Sequence, residues 1–422
     1  MFKFFYGKDE VIMNFNEKLA QYADLAVRTG VNIQKDQILV LQCPVEYAEF
    51  ARMITENAYK AGAKDVVVIW KDEKLSRIRF DYAALEVFET IPEWRAKLFN
   101  GYAKEGAAFM NVLAEDPEIF KGVSSDKLLA NVKASEIGLK EYRDCFDKSE
   151  LQWNLIAVPN KAWAKKVFPN CSEEEAIDKL WEAIFKTVHV GTEDPVSLWK
   201  NHGETLGEKS SILNKKQFAK LHYKNSIGTD FVVGMPKNHI WSGGGDTNTK
   251  GIFFFPNMPT EEVFTAPDCR YAEGKVVSSI PLSYQGTLIT DFSVTFKDGS
   301  VVDFEAKEGY EALERLLNTD EGSRRLGEVA LVPYDSAISN MGILFYNTLF
   351  DENASCHFAF GKCYPNTIKG GEFLSKEELK KIGGNDSMNH VDFMVGTSDL
   401  TIIGIEENGE ETVIFKDGNW AI

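Results

Sequence analysis

The chain has 422 residues, 44% hydrophobic and 26% charged, with 64 acidic against 47 basic side chains and a net charge of −17. That length allows two or three domains with substantial cores, and the composition is ordinary for a soluble globular protein. The acidic balance excludes a basic nucleic-acid footprint and suits a cytoplasmic protein, and no apolar run reaches the ~18–20 residues that would span a membrane.

Charges interrupt the first ten residues, so they do not read as a secretory leader; Met13 is an alternative start that would leave residues 1–12 as an extension outside the fold. Residues 37–42 read as a strand, 45–61 as an amphipathic helix stopping near Gly62, and 65–70 as a second buried strand. Residues 107–113 and 153–158 are further strands. Ser172, followed by three glutamates, starts a helix to about residue 186, because a hydroxyl caps free N–H groups and acids favour the positive end of the helix dipole. This alternation predicts an α/β domain over residues 1–201, with a mostly parallel sheet covered by helices. The six cysteines are scattered without a C-x-x-C pair and read as reduced thiols.

From residue 202 the texture changes. Lys297-Asp298-Gly299-Ser300 is a hairpin signal between runs 291–296 and 301–306, and Lys416-Asp417-Gly418-Asn419 resembles another turn. A short helix is expected at 310–317. Residues 202–422 therefore read as a β-rich second domain. The run Gly243-Gly244-Gly245-Asp246 lacks the spacing of a phosphate-binding loop and reads as a turn before a strand at 251–255.

The chemistry concentrates in this second half. The chain has only six histidines. His390 and Asp392 lie two apart in a strand at 389–396, so both side chains project from one face. His357 opens an apolar run, Glu328 is the one polar group in the apolar stretch 327–333, and Glu262 sits among acids after an apolar strand. Taken singly, each has an ordinary reading as a strand-end acid or a hydrogen-bonded core histidine. A buried carboxylate needs a partner, however, and acids with imidazoles at strand edges of one domain are what a divalent ion prefers. Cys356 and His357 are neighbours on a strand and point to opposite faces, so they do not form a thiol–imidazole pair.

Four blocks, at residues 256–267, 326–333, 346–357 and 390–396, together resemble the aminopeptidase T family, metallo-aminopeptidases with two cocatalytic divalent ions. The resemblance implies that Glu262, Glu328, His357, His390 and Asp392 are metal ligands, that Glu352 is a further ligand, and that the Tyr364 hydroxyl lies in or beside the metal centre. It implies a homodimer that removes the N-terminal residue from peptides with a free N-terminus. Two ions, Zn²⁺, Co²⁺ or Mn²⁺, would share an activated bridging water, with Glu328 as the bridging carboxylate and Tyr364 donating to the developing oxyanion. Two competitors stand beside this expectation. A two-metal hydrolase acting on phosphoesters would add Arg or Lys to hold phosphate, and none occurs between Asn347 and Phe360. A non-catalytic, metal-stabilised peptide-binding protein would take up metal without turnover.

Overall fold

The computed structural model describes residues 13–422, so the extension expected at residues 1–12 lies outside the described residues. The chain divides into two compact units. One runs to Gly203 and takes in Gly245–Pro259; the other comprises Glu204–Gly244 and Thr260–Ile422.

The first unit is built on four parallel strands in the order Asp65–Lys71, Ile38–Pro44, Ala108–Leu113, Trp153–Ala157. Their apolar runs are buried at Leu39, Val40, Leu41, Phe109 and Ile156, as expected of strands covered by helices. The helix Ala48–Ala61 ends at Gly62 with φ 103, a left-handed position that glycine takes without steric cost. The Ser172 side chain accepts from the Glu175 N–H and starts the helix Glu173–Thr187, as its sequence implies. Helices at Glu73–Tyr82, Glu93–Lys104 and Ser125–Gly138 are not evident in the sequence. They leave Leu75, Ile78, Trp94 and Ile137 exposed, which blurs the one-sided apolar stripe that marks a helix. Residues 245–259 fall inside the β-rich stretch of sequence yet belong to this unit. The Leu155 N–H donates to the Pro256 carbonyl at 2.7 Å and Asn154 Nδ2 to that of Phe255 at 2.8 Å. The strand expected at 251–255 narrows to Phe253–Phe254, paired with Asp246–Thr247.

Two large antiparallel sheets build the second unit, beside a two-stranded one, Leu282–Tyr284 with Thr287–Ile289. One has eight strands, from Ser300–Glu305 at one edge to Asn419–Trp420 at the other. The hairpin at Asp298-Gly299 forms as its sequence demands, with both residues at positive φ, 51 and 76. The other has five strands in the order His390–Met394, His357–Gly361, Leu326–Leu331, Val263–Thr265, Ser242–Gly243. Its apolar face, including Val329, Leu331, Phe358, Phe360 and Phe393, joins one core with Tyr223 and Phe231 of the eight-stranded sheet. Phe358 anchors that contact, with its ring edge-on to Tyr223 at 4.9 Å and to Phe231 at 5.2 Å.

Candidate metal centre

The register of the five-stranded sheet decides what its other face presents. Asp392 lies opposite Ala359, and Ala359 opposite Glu328, while His357 lies opposite both Met394 and Ala330. Residues directly opposite share a face, as do residues two apart along a strand. Phe264 lies opposite Ala330, which carries Glu262, two residues earlier, onto that face as well. Glu262, Glu328, His357, His390 and Asp392 thus emerge together on the side away from the Phe358 core. Ala330, Ala359 and Gly361 between them keep the floor of the site low.

These side chains form two groups whose ligand atoms lie within 4.8 Å of one another, Glu262–Glu328–His357 and Glu328–His390–Asp392. His357 Nε2 is 3.2 Å from Glu262 Oε2 and 3.5 Å from Glu328 Oε1. His390 Nε2 is 3.4 Å from Glu328 Oε2 and 3.4 Å from Asp392 Oδ1. Ligands ~2.1 Å from a tetrahedral ion are separated by roughly 3.4 Å, so these spacings match the edges of a coordination shell. Glu328 belongs to both groups and offers a different oxygen to each.

The imidazoles are aimed from behind. His357 Nδ1 donates to the Ser355 carbonyl at 3.0 Å and His390 Nδ1 to that of Lys362 at 2.7 Å. Each ring therefore directs Nε2 into the site. Glu262 Oε2, His357 Nε2 and Asp392 Oδ1 are buried with no hydrogen-bond partner. Buried polar atoms are rarely left so, and leaving three in one spot is costly unless a cation satisfies them together. That donor set fits a divalent ion.

The electrostatics carry the same sign. Burial pushes the Glu328 carboxyl up, but the His357 and His390 imidazoles outweigh it and hold it at about 2. Burial would lower both imidazoles, yet the carboxylates Glu262 and Glu328 keep His357 well above its usual value, and those of Asp392 and Glu328 do so for His390. Burial, with the nearby Glu328 charge, raises Glu262. The two groups set three carboxyls, Glu262, Glu328 and Asp392, against two imidazoles, an oxygen-rich donor set of the kind a divalent cation takes.

Glu352 lies outside both groups. Burial and the charges of Glu262 and Asp392 push its carboxyl well above the carboxylate range. Tyr364 follows the strand His357–Gly361 and is 46% exposed, its ring 4.9 Å from that of His390. The His390 imidazolium pulls its phenol down, but desolvation and the Glu328, Asp392 and Glu352 carboxylates outweigh it and hold the phenol above its usual value. Tyr364 thus keeps its proton beside the cluster. The Thr367 hydroxyl holds that turn, donating to the Tyr364 carbonyl at 2.6 Å and accepting from the Ala266 N–H at 3.1 Å.

Sequence reasoning missed two supports. Asn353, fully buried, accepts the Glu261 N–H at 2.6 Å and donates to the Leu349 carbonyl at 2.9 Å, tying the Glu262 segment to the turn that carries Glu352. The Asp351-Glu352-Asn353 block was the available signal. Gly327 is the second. The ladder shifts register between Leu326 and Glu328, and a Cβ at 327 would overlap the Gly361 and Lys362 carbonyl oxygens. Gly327→Ala is therefore expected to displace Glu328 and weaken metal affinity on the order of 10–100-fold, the usual effect of disturbing a ligand's support. Competition against a chromogenic chelator measures this; unchanged affinity would mean the strands have slack there.

Comparison with known proteins places the chain. The profile of the thermophilic metalloprotease (M29) family matches residues 15–420. Aminopeptidase AmpS of Bacillus subtilis is 47% identical over 97% of this chain and 99% of its own. Aminopeptidase T of Thermus thermophilus is 40% identical over 97% of this chain and 99% of its own. The structure of wild-type AmpT from Thermus thermophilus superposes with a TM-score of 0.90 at 39% identity, covering 97% of this chain and 100% of that one.

Proposed function

The chain belongs to the M29 metallopeptidase family and is a metal-dependent aminopeptidase acting on peptides, and from that premise we propose that it works with two divalent ions held on either side of Glu328. Glu262 and His357 would complete one position and His390 and Asp392 the other, with Glu352 as a further acid beside them. The single observation that carries this reading is the Glu328 carboxylate, whose two oxygens face different histidines. When bound, such a pair of ions activates a water at neutral pH and polarises the carbonyl to be cleaved. Oxygen and imidazole donors suit Zn²⁺, Co²⁺ and Mn²⁺ alike.

The chain's own groups supply the rest. Tyr364, protonated and reachable from solvent, donates to the oxyanion that forms at the scissile carbonyl. One metal or a spare acid would bind the substrate's free α-amine, which would confine cleavage to the first residue. The family resemblance supports a homodimer. All six cysteines are free, as suits the reducing cytoplasm, and among the described residues no helix is long and apolar enough to cross a membrane.

Chelation tests the metal requirement. Hydrolysis of Leu-p-nitroanilide is expected to stop in chelator and return with Co²⁺, Zn²⁺ or Mn²⁺. The carboxylates hold His357 and His390 protonated well above their usual range, so metal uptake must displace protons. Lowering the pH strengthens that competition. The metal concentration for half-restoration should therefore rise about tenfold per pH unit for each proton displaced. A half-restoring concentration that is flat across pH, or activity that survives chelation, would contradict this reading.

A further inference from the structure

The two histidines of the site are held in different ways. His357 sits inside the ladder, paired with Met394 on one side and Ala330 on the other, so the sheet itself fixes it. The pairing of its strand with His390–Met394 ends at Gly361, opposite His390. The Lys362 carbonyl that aims His390 lies one residue past that end, and Tyr364 lies two further on. The sheet therefore does not hold residues 361–363 by itself.

Asn385 does. It is only 2% exposed, and its Nδ2 donates to the Gly361 carbonyl at 2.6 Å and to the Gly322 carbonyl at 2.8 Å, which commits both amide hydrogens. Its backbone carbonyl accepts the Cys363 N–H at 3.0 Å. Between those two points the Lys362 N–H donates to the Asn389 carbonyl at 2.6 Å. One buried residue thus holds the chain on both sides of Lys362. Residues 386–389 have a separate tether, since the Ser387 hydroxyl and the Met388 N–H donate to Asp320 at 2.8 and 2.7 Å. Removing the Asn385 amide would leave two buried carbonyls unsatisfied without releasing the approach to His390.

We propose that Asn385 is a positioning residue for the peptidase reaction: it sets the Lys362 carbonyl that aims His390 and the turn that presents the Tyr364 hydroxyl. The inference rests on the paired-ion reading above and adds an asymmetry to it. Loss of the amide should disturb the position completed by His390 and Asp392. That of Glu262 and His357 should stay intact, because strand pairing secures it.

The test compares Asn385→Ala and Asn385→Ser with Val276→Ala, a fully buried core position in the eight-stranded sheet whose truncation lowers stability away from the site. Zinc binding is read by competition against a chromogenic chelator, alongside kcat and KM on Leu-p-nitroanilide and the melting temperature. In Asn385→Ala one of the two zinc affinities is expected to fall about 10–100-fold with the other within a few-fold. Its kcat should fall on the order of 10²-fold with KM nearly unchanged. Asn385→Ser keeps one donor and should recover part of both losses, and it carries the same comparison if the alanine variant does not fold. Val276→Ala should lower the melting temperature and leave zinc affinities and kcat as in the parent. Equal losses at both ions, or affinities and kcat that match the parent in a folded Asn385 variant, overturn the assignment. A parent that binds a single ion overturns the paired-ion reading instead, and an unchanged kcat in Asn385→Ala would then overturn this inference separately.

Discussion

Glu328→Gln is expected to lower kcat on Leu-p-nitroanilide on the order of a thousandfold or more, and to cost the protein at least one of its ions. The change is nearly isosteric, so packing along Leu326–Leu331 should survive, and that strand is buried throughout. Its effect is chemical. An amide has one oxygen in place of two, and its nitrogen is a donor that cannot ligate a cation. Oε1 faces His357 and Oε2 faces His390, so one of the two groups must lose its shared member. The imidazoles would also lose the negative charge that outweighs their burial. Turnover and bound metal should therefore fall together while the melting curve stays cooperative. Full activity in this variant would mean that Glu328 is a structural acid.

Tyr364→Phe should separate chemistry from binding. If the hydroxyl donates to the oxyanion, its loss costs about 10²–10³ in kcat with KM within a few-fold, since the interaction matures only in the transition state. The ring contact with His390, 4.9 Å between centroids, is preserved by phenylalanine, so the histidine should keep its place. Metal content reads out the alternative role. A fall in bound metal would make the phenol a ligand, and a rise in KM with kcat intact would make it a substrate contact only.

Much of this site could be read from the linear chain, because the strand alternation that makes His390 and Asp392 neighbours needs no tertiary knowledge. His357 and Glu328 stood out for a related reason: each is a polar group in a stretch too apolar to tolerate it without a partner. What alternation cannot supply is strand order. That Leu326–Leu331 lies between His357–Gly361 and Val263–Thr265, so that Glu328 is central, emerges only from the paired sheet. The bulge at Gly327 was invisible for the same reason, since the carbonyls it must clear belong to Gly361 and Lys362. Glu352 and Tyr364 were named from the family resemblance alone, because each lies on a turn whose direction no periodicity sets.

The fold was legible where packing is one-sided and local. The hairpin at Asp298-Gly299 and the capped helix after Ser172 carry their instructions in a few residues. The helix Pro195–Lys216 did not, for its apolar positions are interrupted by Gly203 and Gly207. The return of Gly245–Pro259 to the first unit is secured by hydrogen bonds from Asn154 and Leu155, a hundred residues away in sequence, which no local pattern announces.

The most direct measurement is an anomalous difference map at the zinc edge from crystals of the chain soaked in Zn²⁺. Two peaks should appear on the face of the five-stranded sheet, one beside Glu262 and His357, the other beside His390 and Asp392, each within bonding distance of a different Glu328 oxygen. A single peak, or two peaks that leave Glu328 uncoordinated, would contradict a shared carboxylate between paired ions.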